Sequence, residues 1–463
     1  MTATSIAIGG LEGRQLPPRE TLNPLQVWKF LAYPGRAAER LYNKYGALAP
    51  IGFFGAKYTM VLTPEAALQV FAQPPEDYIA FYEESFGGLN GEGSLWILAG
   101  EAHRRERKLF APAVHPGHFQ AYGDVIRDVA RLHFGHWRAG EVRRSVDTTK
   151  AIALDVIMRL VFGVEDDAFM REGGAILDRL TGTIHPIFVF YPKLQRSWFP
   201  PFRRYEKAKA AMYEWCGRLI ALRRSRGTLG DDVLGRLMRA NDEHGNPYTE
   251  LHICNELLSI LTAGHVTTGV ALAWALYEVG RHPEVLARLR DELAAANPAS
   301  HEIPTLPYLS AVCDEAIRLH PILAECARVP TKPLQIAGRD IPAGEPLVIA
   351  IVGIHHNPAI FPEPQRFRPE RFLERSYTKT EFMPFGGGHR RCLGAGLAEY
   401  TMRISLAEAV RTWTFEAAAV DRDIRHDIAM GPKLGVPLRI LGRLGASAPA
   451  PAGGRSEAAG ALV

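Results

Sequence analysis

The 463-residue chain is 47% hydrophobic and 22% charged, with 54 basic against 50 acidic residues. That balance excludes a nucleic-acid binder held by a basic surface, excludes a disordered polyelectrolyte, and leaves ample apolar material for a large core. Five scattered cysteines, Cys216, Cys254, Cys313, Cys326 and Cys392, include no CxxC pair, which argues against a disulfide framework or a zinc site and for a reducing cytoplasm. The N-terminus lacks a basic start followed by an apolar stretch, so no signal peptide is expected. No uninterrupted run of about 18 apolar residues marks a membrane anchor.

In chain order, periodicity predicts a helix over Pro34–Tyr45, strands over Leu48–Phe54 and Tyr58–Leu62, and a helix over Pro64–Gln73. Helices follow at His103–Phe110, Pro116–Trp137, Lys150–Val161, Asp166–Thr181, Phe202–Arg224 and Asp231–Asn241. Thr249–Gly280 is long and apolar on most sides, so it is expected to cross the core. Helices at Glu284–Ala295 and Pro307–His320 precede a stretch rich in Pro and Gly, with strands at Leu334–Ile336 and Pro346–Ile354. A helix over Gly394–Thr412 and a strand over Val436–Leu441 complete a mainly α fold with a minor β region. The first 19 residues are expected to be flexible. The Ala/Gly/Pro-rich residues 443–463 are expected to be disordered.

Chemistry concentrates in FMPFGGGHRRCLGAGLAEYTMR, where a glycine-rich loop with a cysteine runs into an amphipathic helix. A thiolate at a helix N-terminus gains from the dipole and from free N–H groups. Gly386, Gly387 and Gly388 would let backbone approach a flat partner, and Arg390 and Arg391 add charge able to hold carboxylates. Phe385, Gly388, Arg390, Cys392 and Gly394 fill every defined position of F-x-x-G-x-R-x-C-x-G. The chain therefore resembles the cytochrome P-450 family.

That resemblance implies a single triangular domain over residues 20–442, with haem b (iron protoporphyrin IX) between the long distal helix and the cysteine loop. It implies Cys392 as the iron ligand and Phe385 and Arg390 as cofactor contacts. Glu315 and Arg318 in CDEAIRLHP, with Arg371 in FRPERF, resemble the family's structural E-x-x-R triad. His103 and Arg107, one turn apart in GEAHRRERKLF, resemble its propionate pair, and Arg328 its propionate arginine. Arg104, Arg105 and Lys108 read as a solvated face that an electron donor would meet.

TAGHVTTG then falls on the distal side. Ala263, Gly264, Thr267 and Thr268 match A-G-x-(D/E)-T-T, and Ala263 lies four residues before Thr267, within reach of its hydroxyl. Small residues there would leave room for dioxygen and substrate. By resemblance the catalytic residues are Thr267, which bonds dioxygen and passes protons, and Thr268. Val266 departs from the pattern, because valine carries no proton. His265 is the nearest alternative, but about 100° per residue turns it about 200° from Thr267, so it is read as packing away. The substrate pocket is expected to include Ile260, Ala263, Gly264, Leu323 and Ala324, with further contacts from Tyr78–Leu98, Thr181–Pro201 and Met430–Gly435. Glu325 is either a polar anchor or a solvated or ion-paired surface residue.

The implied activity is monooxygenation of a lipophilic, fatty-acid-like or terpenoid molecule by a monomer without a membrane anchor. Electrons would come indirectly from NAD(P)H through a separate ferredoxin or flavodoxin and its reductase. The alternatives are a peroxygenase or rearrangement enzyme of the same fold and a non-enzymatic haem or lipophile carrier.

Overall fold

A computed structural model describes residues 15–444 apart from 54, 82, 92, 115, 116, 118, 186, 189, 190 and 427. The expectations for the two termini thus fall largely outside the described residues. The fold is mainly helical, and the long segment forms one helix, Glu250–Arg281, whose cap Thr249 accepts the N–H of His252. By length and composition this helix resembles a membrane span, which the sequence reading did not allow for. It is instead the centre of the core, with 61% of its most apolar window buried. Gly269 lets it cross the helix Ser145–Val156 closely, since a Cβ there would lie 2.7 Å from the Cα of Lys150.

Most predicted helices appear within a few residues of their expected ends. Among the described residues, two helices of eight or more residues lie outside the predicted set. Pro24–Ala32 begins at a capping box in which Asn23 and Gln26 satisfy each other's backbone N–H, a signal legible in the sequence. Glu83–Asn90, with two internal glycines, offers little such signal. The predicted strand Pro346–Ile354 is corrected to a strand, Leu347–Ile349, and a short helix, Ile351–His355. An unbroken apolar run does not distinguish a buried strand from a buried helical turn.

Six short strands form one sheet in the order Glu20–Thr21, Leu48–Phe53, Ala56–Val61, Leu347–Ile349, Cys326–Pro330 and Tyr78–Ile79. Three more, Trp413–Ala417, Pro437–Arg443 and Val142–Arg144, form a second sheet. The unpredicted strand Cys326–Pro330 exists through its partner, with Cys326, Ala327 and Arg328 paired to Ile349, Val348 and Leu347. This pairing fixes where Arg328 projects.

The Glu315 carboxylate lies at the centre of a fully buried cluster. Arg318 meets it at 2.6 and 2.9 Å and Arg371 at 3.0 Å, with the backbone N–H of Arg368 at 2.9 Å. Arg318 also reaches the carbonyl of His355, whose Nε2 accepts the N–H of Met383. The ion cluster is thereby tied to the start of the cysteine loop. Removing one partner of such a pair costs about 3–5 kcal/mol, because it strands a buried charge.

Further along, His320 lies between Asp423 at 2.7 Å and Glu278 at 3.0 Å, stacked on Trp274. Burial opposes its charge, but the two carboxylates outweigh burial and raise its pKa to about 9. The folded value lies above the unfolded one of about 6.5, so this contribution is complete below pH ~6.5 and is lost as pH rises through about 9. Thermal melts across that window should show a loss of stability in the wild type that is blunted in His320→Gln. An identical pH slope in both proteins would contradict this assignment.

Candidate active site

The loop that carries Cys392 is held by its own backbone. The N–H of Cys392 donates to the carbonyl of Phe385 at 2.9 Å, and Gly386 and Gly388 both take φ of +66°, which favours glycine. The close approach expected of this loop is made to Phe71, because a Cβ on Gly387 would meet its ring at 2.4 Å. The helix Ala395–Thr412 starts just beyond, with Gly394 as its cap. Cys392 is solvent-accessible although protein surrounds it. Burial pushes the thiol up, while the N–H of Gly394, Arg391 and Arg107 favour the thiolate.

Basic side chains gather around this loop. Arg107 donates to the carbonyl of Arg391 at 2.7 Å, Arg328 to that of Gly387 at 2.9 Å, and Arg390 to those of Trp96 and Leu98. Among the described residues, none of the three pairs with a carboxylate. Burial together with Arg390, Arg107, His389 and Arg328 depresses His103 to about 3. Burial, Arg328 and Arg390 bring His389 to about 4, and burial, Arg328 and Arg107 lower Arg390 to about 10. His103, Arg107, Arg328 and Arg390, named from separate stretches, are thus brought together. His389 joins them and was missed, although it lies inside the cysteine motif. Arg104 and Arg105 lie on the outer side of that helix, paired with Glu101 at 2.9 Å and Glu243 at 3.2 Å, and Lys108 is exposed.

The long helix supplies the other wall. Midway along it, Ile260, Thr262, Ala263, Gly264, Val266, Thr267 and Thr268 are only half buried, while Leu261, His265 and Gly269 are fully covered. Thr267 Oγ1 donates to the carbonyl of Ala263 at 2.6 Å, yet the helix remains α throughout, without the break that such a bond can introduce. A Cβ on Gly264 would lie 2.6 Å from Ile157, so the glycine also serves packing against the π-turn Ile157–Val161. His265 packs away, only 2% exposed, and burial with Lys150 nearby lowers its pKa to about 4.

Two pocket expectations are adjusted. Leu323 is half buried, but Ala324, 1% exposed, is covered by Val352 and Met430 and leaves almost no surface for a ligand. Glu325 pairs with Arg425 at 2.7 Å, the ion-paired alternative, in a largely buried setting rather than on the surface.

This arrangement has clear relatives. The Cytochrome P450 family model matches residues 21–437. Cytochrome P450 135A1 of Mycobacterium tuberculosis is 32% identical over 451 residues, covering 94% of this chain and 98% of that one. Cytochrome P450 135B1 of the same organism is 31% identical over 448 residues, covering 94% and 93%. The solved structure of retinoic acid-bound cyanobacterial CYP120A1 superposes with a TM-score of 0.80 at 22% identity, over 93% of this chain and all of that one. With its fold, its cysteine loop and its full-length relatives in agreement, the chain belongs to the cytochrome P450 family of haem-dependent monooxygenases.

Proposed function

We propose that this monooxygenase binds haem through Cys392 and oxidises a lipophilic substrate with electrons from a separate ferredoxin or flavodoxin system fed by NAD(P)H in the cytoplasm. The observation that carries this reading is the convergence of Arg107, Arg328, Arg390, His103 and His389, without an acid among them, beside an accessible cysteine. Such a cluster fits a dianionic group, as the two propionates of haem are. Carboxylates there would relieve the mutual repulsion of the guanidinium groups and accept charge-assisted hydrogen bonds. The glycine turn and Phe385 would hold the thiolate toward the iron, with the N–H of Gly394 and the charges of Arg391 and Arg107 stabilising it. When bound, haem supplies reductive activation of dioxygen, and a thiolate ligand favours O–O cleavage.

The distal residues follow from the same geometry. Because its proton is engaged by Ala263, the Thr267 hydroxyl keeps acceptor lone pairs on the half-buried face of the helix and would orient a water or another proton donor there. Val266 carries no proton, so delivery relies on Thr267 and water, with Thr268 beside it. Positioned acid–base groups are worth about 10²–10⁴ in rate. Thr267→Ala should therefore lower product formed per NAD(P)H consumed by about tenfold or more, while Val266→Glu should raise it. If Thr267→Ala is harmless and Val266→Glu brings no gain, the proton path runs elsewhere.

Ile260, Val266, Ile322, Leu323 and Phe385 give the site apolar, half-buried surface. With Glu325 committed to Arg425, recognition rests on apolar shape rather than on that charge. Retinoic acid in CYP120A1 belongs to the same lipophilic class. Fatty acids and terpenoids are thus the first compounds to screen for spin-state shifts. Val266 also motivates the peroxygenase reading. Under isotopically labelled dioxygen, with reductase and NAD(P)H, the product should carry one labelled oxygen atom. Turnover with hydrogen peroxide and none with the reductase system would favour the peroxygenase instead.

A further inference from the structure

Away from the cysteine loop, the helix Gly100–Phe110 meets the start of the long helix at a second polar cluster. His252 and Glu256 lie one turn apart on the long helix, so they share a face. Glu106 faces them from the other helix, on the turn that also carries His103 and Arg107. One ligand atom from each of the three lies within 4.8 Å of the others. Glu106 and Glu256 are 1% and 0% exposed, whereas the His252 side chain keeps 21% exposure and so opens the cluster to solvent.

The hydrogen bonds leave this cluster short of positive charge. Glu106 takes His252 Nε2 at 3.0 Å and the hydroxyl of Tyr248 at 2.5 Å. Glu256 takes only the N–H of Leu95, at 2.8 Å on Oε1, and its buried Oε2 has no partner. Among the described residues no lysine or arginine forms an ion pair with either carboxylate. The guanidinium of Arg105, which shares Tyr248 with Glu106, is engaged by Glu243. Two buried carboxylates side by side, one with a free oxygen, are relieved either by a proton on Glu256 or by a cation between them.

We propose that Glu106, His252 and Glu256 bind one divalent cation of the zinc class. One imidazole nitrogen and two carboxylate oxygens suit a borderline ion of four ligands, with water completing the set on the solvent side of His252. Calcium and magnesium prefer all-oxygen shells. The ion would join three pieces of chain: the helix bearing His103 and Arg107, the distal helix, and the loop from Gly93 to Leu98. That loop packs on His252 through Gly93 and offers the carbonyls of Trp96 and Leu98 to Arg390. The site is structural, and it stands or falls independently of the iron ligand.

The test uses the holoenzyme, freed of loose metal by chelator, incubated with zinc, desalted, and analysed for zinc against haem absorbance. The wild type should retain one zinc per chain, and its melting temperature should rise with zinc. Glu256→Gln and His252→Gln should weaken retention by about tenfold or more and abolish the thermal response. The exposed His244→Gln should behave as wild type. His252→Gln alters a partly exposed side chain, which keeps the test usable if Glu256→Gln folds poorly. No zinc retained by the wild type would overturn the proposal, and a Glu256→Gln protein that melts higher would then show that Glu256 is held by a proton instead. Equal zinc in wild type and both variants would overturn it as well.

Discussion

Mutual repulsion among the basic groups beside the cysteine loop is the constraint around which this molecule is organised. Arg107, Arg328 and Arg390 come from a helix, a sheet strand and the cysteine loop itself, and each is partly satisfied by a backbone carbonyl. Hydrogen bonds to carbonyls satisfy donors but do not cancel charge. The two imidazoles show the consequence, since both are held far below their usual range by burial and by these arginines. A fold that brings these cations together at a half-buried place can receive an anion there, and the cysteine beside them is the ligand we propose for haem iron.

Holding that arrangement requires rigidity on the proximal side. The Glu315–Arg318–Arg371 cluster supplies it through His355 and Met383, which connect a buried carboxylate to the cysteine loop. His355 acts as an acceptor there, in keeping with burial and Arg318 holding its pKa well below the usual range. The distal side has the opposite demand. Its helix must run through the core and still present a half-buried face over two turns. The sequence meets both needs with Gly269 at the tight crossing and with Ala263, Gly264 and Thr267 at the opening.

Much of this was legible in the residues. The cysteine motif, the E-x-x-R pair and the threonine four residues after Ala263 are local patterns, and local patterns carry local geometry. Helices long enough to show a period were also found, within a few residues of their ends. Features that depend on distant partners were not legible. The strand Cys326–Pro330 owes its existence to Leu347–Ile349, Ala324 is hidden by Val352 and Met430, and Glu325 is claimed by Arg425 a hundred residues on. The close approach of Gly387 to Phe71 belongs to the same class. His252 and Glu256 show the intermediate case. Their spacing is visible in the sequence, but its meaning appears only when Glu106 arrives from another helix.

The central claim is that Cys392, as thiolate, ligates haem iron among these basic groups. The most direct measurement is the absorption spectrum of the reduced, carbon monoxide-bound protein, for the wild type and for Cys392→His. The wild type should show the red-shifted Soret band of thiolate ligation and the variant should lose it, with haem still bound through the arginines. A wild-type band at the position given by nitrogen ligands, or a thiolate band that survives Cys392→His, would contradict it.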